Sequence, residues 1–356
     1  MIEDELIDLV KKAFNGEKNT TLPNKELFKI TCEQNLSAYL YLVYNNDFFK
    51  KFYLASTLQN TLYDEEATKI SELFRENQIH HVFIKGYVLK KLYKTCAMRV
   101  MGDVDILVFK EDFAKASSLM ESLNYKEEHE NKNHRSYLKG KIQIELHHKL
   151  VDEDDTNLGI TFNDYKSYLV EIKPYAFELT DTYHLFYLLI HYIKHLREGT
   201  GIRPILDLYL LYTKGTIDNQ WLLKKIKEWK LERFWQVVLS EFNLIFELPY
   251  DNKDEKTAIE LFKFSIESGM NGASPNHSSV INRLSYRRES KFKFLLKKLF
   301  PSYLELSYSY PFIQHKILVP LAYFLNIFRL IFKKSKVAIK VIKYNNENNI
   351  YKKVGL

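Results

Sequence analysis

The sequence predicts an α+β fold, a small mixed β-sheet held between helical regions. Two observations carry that prediction. Strand-like apolar runs cluster between His80 and His148, while the text on either side follows helical spacing. Glycine and proline are scarce, 11 and 8 in 356 residues, and aromatic residues reach 15%, a mixture that favours helices over an all-β sandwich.

The elements follow in order. Asn60 to Asn77 places Leu62, Ala67, Ile70, Leu73 and Phe74 at helical spacing, and residues 1–79 read as an N-terminal helical region. From His80, "HHVFIK" is a short apolar strand, "GYVLKKLY" one or two helical turns, and "DVDILVF" a second strand. "KEDFAKASSLMESLNY" sets Phe113, Ala116, Met120 and Leu123 on one helical face. "HRSYLKG" and "KIQIELHH" then form two strands joined by a tight turn at Gly140-Lys141. The second strand alternates Ile142, Ile144 and Leu146 against Gln143, Glu145 and His147, so Glu145 points away from the apolar face. Residues 80–175 are assigned to this sheet unit. After about Val151 the text reads as helical, broken at Gly199 to Pro204, Gly215 and Pro249-Tyr250, which gives helical regions at 176–275 and 276–356.

Two cysteines, Cys32 and Cys96, are too few for a disulfide framework and have no companions at zinc-site spacing. The start, "MIEDELIDLVKKAF", is acidic and amphipathic with no secretory pattern, and predicts a cytoplasmic protein. Net charge is +7 and unevenly spread: from Ile281 onward 16 Lys and Arg stand against 3 Asp and Glu. That basic, aromatic-rich region suits nucleic acid, an acidic partner or an anionic membrane surface, with a solvated helix face as the plainer alternative. Near the end, "ILVPLAYFLNIF" is too short for a spanning helix of about twenty residues; it reads as an interfacial helix in peripheral membrane contact or as one packed on the protein itself.

Asp103 and Asp105 interrupt an apolar strand. Residues two apart in a strand share a face, so the two carboxylates point one way while Val104, Ile106 and Val108 point the other. Like charges this close repel, and a cation relieves them. If the strand carrying Glu145 lies alongside, three carboxylates converge into a hard oxygen set of the kind that suits Mg²⁺. A solvated strand end is the alternative. Upstream, Gly86 opens a helix whose N–H groups favour phosphate, and Lys85 adds a cation.

These residues, "IKGYVLKKLY" followed by "RVMGDVDILV" and later "IELHH", resemble the bacterial uncharacterised nucleotidyltransferase family, within the DNA polymerase beta superfamily. The similarity extends to "LLIHYIKH", "ILDLYLLY" and "LFPSYLELSYSYP", most of the chain after residue 80. The resemblance implies a polymerase beta-like nucleotidyltransferase core flanked by helical regions, the one at 176–275 facing the substrate. It also implies transfer of a nucleoside monophosphate from a nucleoside triphosphate (NTP) to an acceptor, with release of pyrophosphate. Carried over by position, Asp103, Asp105 and Glu145 would bind two Mg²⁺ ions, with Mn²⁺ as the alternative ion. Lys85 and Gly86 would lie against the triphosphate, and Gly102 would allow the close turn into the metal-binding strand. Because "HYIKH" matches the family pattern, Lys194 or His195 would reach into the nucleotide cleft. One departure stands out: the superfamily prefers a small residue after its glycine, where this chain has Tyr87.

Other residues carry alternatives. His184, His191 and His195 could share a helix face as a metal site or as packed, hydrogen-bonded histidines. Asp207, inside an apolar helix, needs a base such as Arg203, Lys194 or His195. His147 would touch a phosphate or orient Glu145, and Arg99 would neutralise triphosphate charge or lie exposed. The acceptor is open: a small molecule, peptide, protein or RNA. The competing readings are a catalytically weak nucleotidyltransferase-fold scaffold in a biosynthetic or membrane-associated assembly, and a toxin or antitoxin that modifies tRNA or protein.

Overall fold

The computed structural model describes residues 2–130, 134–151, 160–196, 199–248, 254–269, 318–332 and 349–356, with isolated positions between 296 and 313. Four helices come first: α1 (Ile2–Asn15), α2 (Lys25–Glu33), α3 (Ser37–Tyr44) and α4 (Asp47–Glu76). Strand β1 (His81–Ile84) leads through the short helix α5 (Gly86–Leu89) to β2 (Val104–Val108), then α6 (Phe113–Ser122). Next come β3 (Lys126–Glu130), β4 (His134–Lys139), β5 (Ile142–His147), β6 (Leu169–Lys173) and β7 (Ala176–Leu179). Helices α7 (Asp181–Leu196), α8 (Arg203–Lys214), α9 (Asn219–Glu228), α10 (Glu232–Phe246) and α11 (Glu255–Ser268) complete the main body.

The strands form one mixed sheet in the order β3-β4-β5-β2-β1-β7-β6. It is α+β as expected, and larger than the four-stranded unit read from the sequence. The stretch after Val151 that reads as helical contains the β6–β7 hairpin, and β7 pairs in parallel with β1, so the sheet runs past residue 175. The reason these strands escape notice is physical. β3 is "KEEHE", a polar edge strand with no apolar alternation, and β6 exposes Val170 and Ile172 on the opposite edge. The β4–β5 turn falls where expected, with Gly140 at φ +63°, a conformation that suits glycine.

Helices cover both faces. Val104, Ile106 and Val108 pack with Ile144 and Leu146 against α4 and α6, while Val82, Ile84 and Leu107 join the larger core of α1, α3 and α7 to α11. Of the residues read as the apolar face of the Asn60–Asn77 helix, Ala67, Ile70 and Phe74 are buried, but Leu62 is exposed. At the end of the chain, residues 349–356 return to the helical body. Ile350, Tyr351 and Val354 are buried, and the Tyr351 hydroxyl donates to the Leu196 carbonyl at the end of α7 (2.5 Å).

Most of the basic region from Ile281, including nearly all of "SYRRESKFKFLLKKLF", lies outside the described residues. The apolar run near the end does form a helix, Val319–Phe332, with Ala322 and Asn326 buried and Leu321, Phe324 and Phe328 exposed. Among the described residues, no helix is long and apolar enough to cross a membrane.

Candidate active site

Strand β2 lies between β1, antiparallel, and β5, parallel, with Asp105 opposite Ile84 on one side and Glu145 on the other. Alternation then decides which way each side chain faces. Asp105, Glu145 and His147 leave the sheet on the side of α7 and α8, because their neighbours Val104, Ile106, Ile144 and Leu146 are committed to the core under α4 and α6. Asp103, just before β2, lines the same cavity of about 280 Å³. The opposite wall comes from α7, with His191, Lys194 and His195, and from the start of α8, with Arg203 and Asp207.

The carboxylates are held by cationic and imidazole partners. Lys85 Nζ donates to Asp105 Oδ1 at 2.7 Å, and His147 Nε2 lies 2.8 Å from the same oxygen. Glu145 Oε2 stands 3.4 Å from His147 Nε2 and 3.7 Å from His134 Nε2, while Ser136 and Gln143 donate to Oε1. Burial raises the Asp105 pKa, but the charge of Lys85 and the hydrogen bond from His147 outweigh it and hold the carboxyl below its ordinary range. Asp103 has no such partner close by among the described residues. Burial first, then the charges of Asp105 and Glu145, push it up to about 6. Three acidic groups with one ammonium among them leave a deficit of positive charge that a divalent cation fits.

The approach to β2 is fixed from outside the sheet. In α4, Ser56 Oγ donates to the Ala97 carbonyl, Asn60 Nδ2 to those of Cys96 and Arg99, Gln59 Nε2 to that of Met101, and Tyr63 OH to that of Gly102. The N-terminal helical region thus sets the segment that delivers Asp103.

The sequence model of a family described as uncharacterised nucleotidyltransferases matches residues 30–247, from α2 through the sheet to the end of α10. The chain belongs to that family. No curated protein and no solved structure matches it. The match begins about fifty residues before the resemblance read from the motifs, and it stops short of "LFPSYLELSYSYP". The N-terminal helices that grip the approach to β2 are therefore part of the nucleotidyltransferase family's unit.

Within this nucleotidyltransferase-family chain, Lys85, Gly86, Lys194 and His195 also line the cavity, while Gly102 lies outside its lining. Lys85 has φ +54° and ψ −134°, a conformation glycine prefers, so its backbone is strained; its N–H donates to His184 Nε2 (3.1 Å). A Cβ on Gly86 would stand 2.8 Å from Arg99 Nη2, and Arg99 is locked in place, so the glycine lets the guanidinium pack against the backbone. Gly102 is different. Its φ is not positive and a Cβ would meet nothing within 4 Å, so the expected close turn does not require glycine there. Tyr87 turns away from the cavity onto Phe83, with Asp64 and Thr68 as hydrogen-bond partners, which takes the departure from the family pattern out of the cleft.

Asp207 is not paired with Arg203, Lys194 or His195. Arg99 clasps it with Nε at 3.0 Å and Nη2 at 2.9 Å, and Tyr93 OH donates to it at 2.6 Å. Arg99 is accordingly buried, not exposed, with its guanidinium committed to Asp207 where it borders the cavity. Arg203 instead donates to the Val100 carbonyl (2.7 Å), and its pKa is lowered to about 10 by burial and then by the charge of Arg99.

The three α7 histidines do not form one site. His184 accepts from Lys85, whereas His191 and His195 bring their Nε2 atoms within 3.1 Å of each other in the cavity wall. Burial holds all three below the ordinary imidazole pKa, His184 and His195 at about 4, so they stand neutral at pH 7. The histidine missed by sequence reasoning is His134, opposite His147 in the β4–β5 register. The tight turn at Gly140-Lys141 contains that signal: a two-residue turn pairs 139 with 142 and, counting outward, 134 with 147.

Proposed function

We propose that this protein transfers a nucleoside monophosphate from an NTP to an acceptor hydroxyl and releases pyrophosphate. One observation carries the reading: Asp105 and Glu145 face each other across adjacent parallel strands, Asp103 lines the same cavity, and Lys194 and Arg203 line its far wall. In this proposal Asp103, Asp105 and Glu145 hold divalent cations, which when bound neutralise triphosphate charge and the developing charge on the leaving oxygen. Their oxygen donors and shared excess of negative charge fit such ions.

The rest belongs to the chain's own residues. Lys194 and Arg203 bind the β- and γ-phosphates, and Lys85 holds Asp105 in place. The acceptor oxygen attacks the α-phosphorus while the bond to the bridging oxygen of the β-phosphate breaks. A carboxylate of the trio takes the acceptor's proton. His147, bonded to Asp105 and near Glu145, orients both.

Labelled NTPs with Mg²⁺ and cell extract as the source of acceptor test this. Wild-type protein should move label from an α-labelled nucleotide to an acceptor, and Asp105→Asn should cut the rate by about a thousandfold, several kcal/mol of lost charge stabilisation. Equal transfer by the variant overturns the site. Absence of transfer by wild type, with extract partners retained by both proteins, overturns the activity and favours the scaffold.

A further inference from the structure

The sheet face that carries the acids also carries two imidazoles that a purely Mg²⁺-binding site does not need. His134, Glu145 and His147 each bring one potential ligand atom within 4.8 Å of the other two. The two distances to Glu145 Oε2 are 3.4 and 3.7 Å. Ligand atoms about 2.0–2.1 Å from a tetrahedral ion stand roughly 3.4 Å apart, so this set is close to a coordination edge already. His134 and His147 are opposite each other on β4 and β5, and Glu145 lies two residues before His147 on the same face. Three ligands on two paired strands form a rigid frame. Asp105 Oδ1, 2.8 Å from His147 Nε2, stands at its border.

We propose that His134, Glu145 and His147 form a binding site for one first-row transition-metal ion of the Zn²⁺ class, beside the oxygen site of Asp103 and Asp105. Two imidazoles and a carboxylate match the preferences of Zn²⁺, Co²⁺ and Fe²⁺, whereas Mg²⁺ favours oxygen ligands and keeps its waters. Three protein ligands leave a tetrahedral ion one further position for water or substrate, as in sites that are open to chemistry. An ion bound through His147 Nε2 takes that nitrogen's lone pair, so the hydrogen bond from this nitrogen to Asp105 is given up. Asp105 then loses one of its two partners and turns to the ion or to Lys85 alone.

This inference goes beyond the proposed transfer reaction and does not depend on it, because the ion is held by the protein without nucleotide. The experiment is a titration of metal-free protein with Co²⁺ alone, followed by visible ligand-field absorption. One equivalent should give a band that stoichiometric Zn²⁺ abolishes and a hundredfold excess of Mg²⁺ leaves in place. His134→Ala should raise the Co²⁺ dissociation constant at least tenfold, while Asp103→Asn keeps the band. Since His147 is buried, His147→Gln is read beside its thermal unfolding without metal, and a folded variant should also lose the band. The site is overturned if no band forms, if Mg²⁺ displaces Co²⁺ at comparable concentration, or if His134→Ala binds Co²⁺ as wild type does. Loss of nucleotidyl transfer in the earlier assay would leave any of these results unchanged.

Discussion

Asp103 is the residue at which the site's electrostatics become measurable. Its folded pKa of about 6 lies above the unfolded value near 3.8, so the native state holds a proton that the unfolded chain has lost. Stability from this group is complete below about pH 4 and is lost as pH rises through about 6. The metal-free protein should lose about 3 kcal/mol from this source across that window. Urea midpoints in the presence of a chelator, wild type against Asp103→Asn, check it: the difference between them should change between pH 4 and 6, and Mg²⁺ should reduce it. The shared face of Asp103 and Asp105 was legible from strand alternation, whereas Glu145 could join them only if its strand lay alongside, which the β2–β5 pairing supplies. The Arg99–Asp207 clasp was not, since nothing local joins residues 108 apart in sequence. Only the packing of α8 against the loop before β2 brings them together, and the burial of both makes the choice of partner unavoidable.

Among the elements, α4 has the least expected role. Read from sequence it is one helix of an N-terminal helical region, yet its polar side chains supply donors to five backbone carbonyls between Cys96 and Gly102. Irregular backbone so close to a sheet needs partners of this kind. Asn60→Ala should remove the donors for two of those carbonyls and cost about 1–3 kcal/mol in urea denaturation. If the proposed activity holds, it should also lower turnover by loosening the delivery of Asp103. Apolar periodicity makes this helix legible, but neither its place over the sheet nor its polar gripping positions carry a periodic signal. For the same reason β3, whose residues are all charged or imidazole, was invisible until its partner β4 was known.

At the scale of the molecule, the last residues of this sequence are part of the core that carries α7. Tyr351 is buried and bonds to the carbonyl of Leu196, and Lys353 pairs with Glu260 on α11. The basic region read as a tail is therefore bounded on both sides by packed helices, at Ser268 and at Ile350. Tyr351→Phe should cost about 1 kcal/mol, and a thermal melt checks it; equal stability would show that the hydrogen bond is replaced by water. The two walls of the cavity have a further consequence. The sheet side carries three acids and Lys85, and the helix side carries Lys194 and Arg203, so the cleft is polarised from floor to roof. A cation added to the floor offsets the charge of the three acids, and a polyanion added to the roof draws on the same field. On the proposed reading each guest strengthens the hold on the other, and by thermodynamic reciprocity the factor is the same in both directions. Calorimetry should find tighter nucleotide binding with Mg²⁺ and tighter Mg²⁺ binding with nucleotide, by one shared ratio that falls as salt is raised.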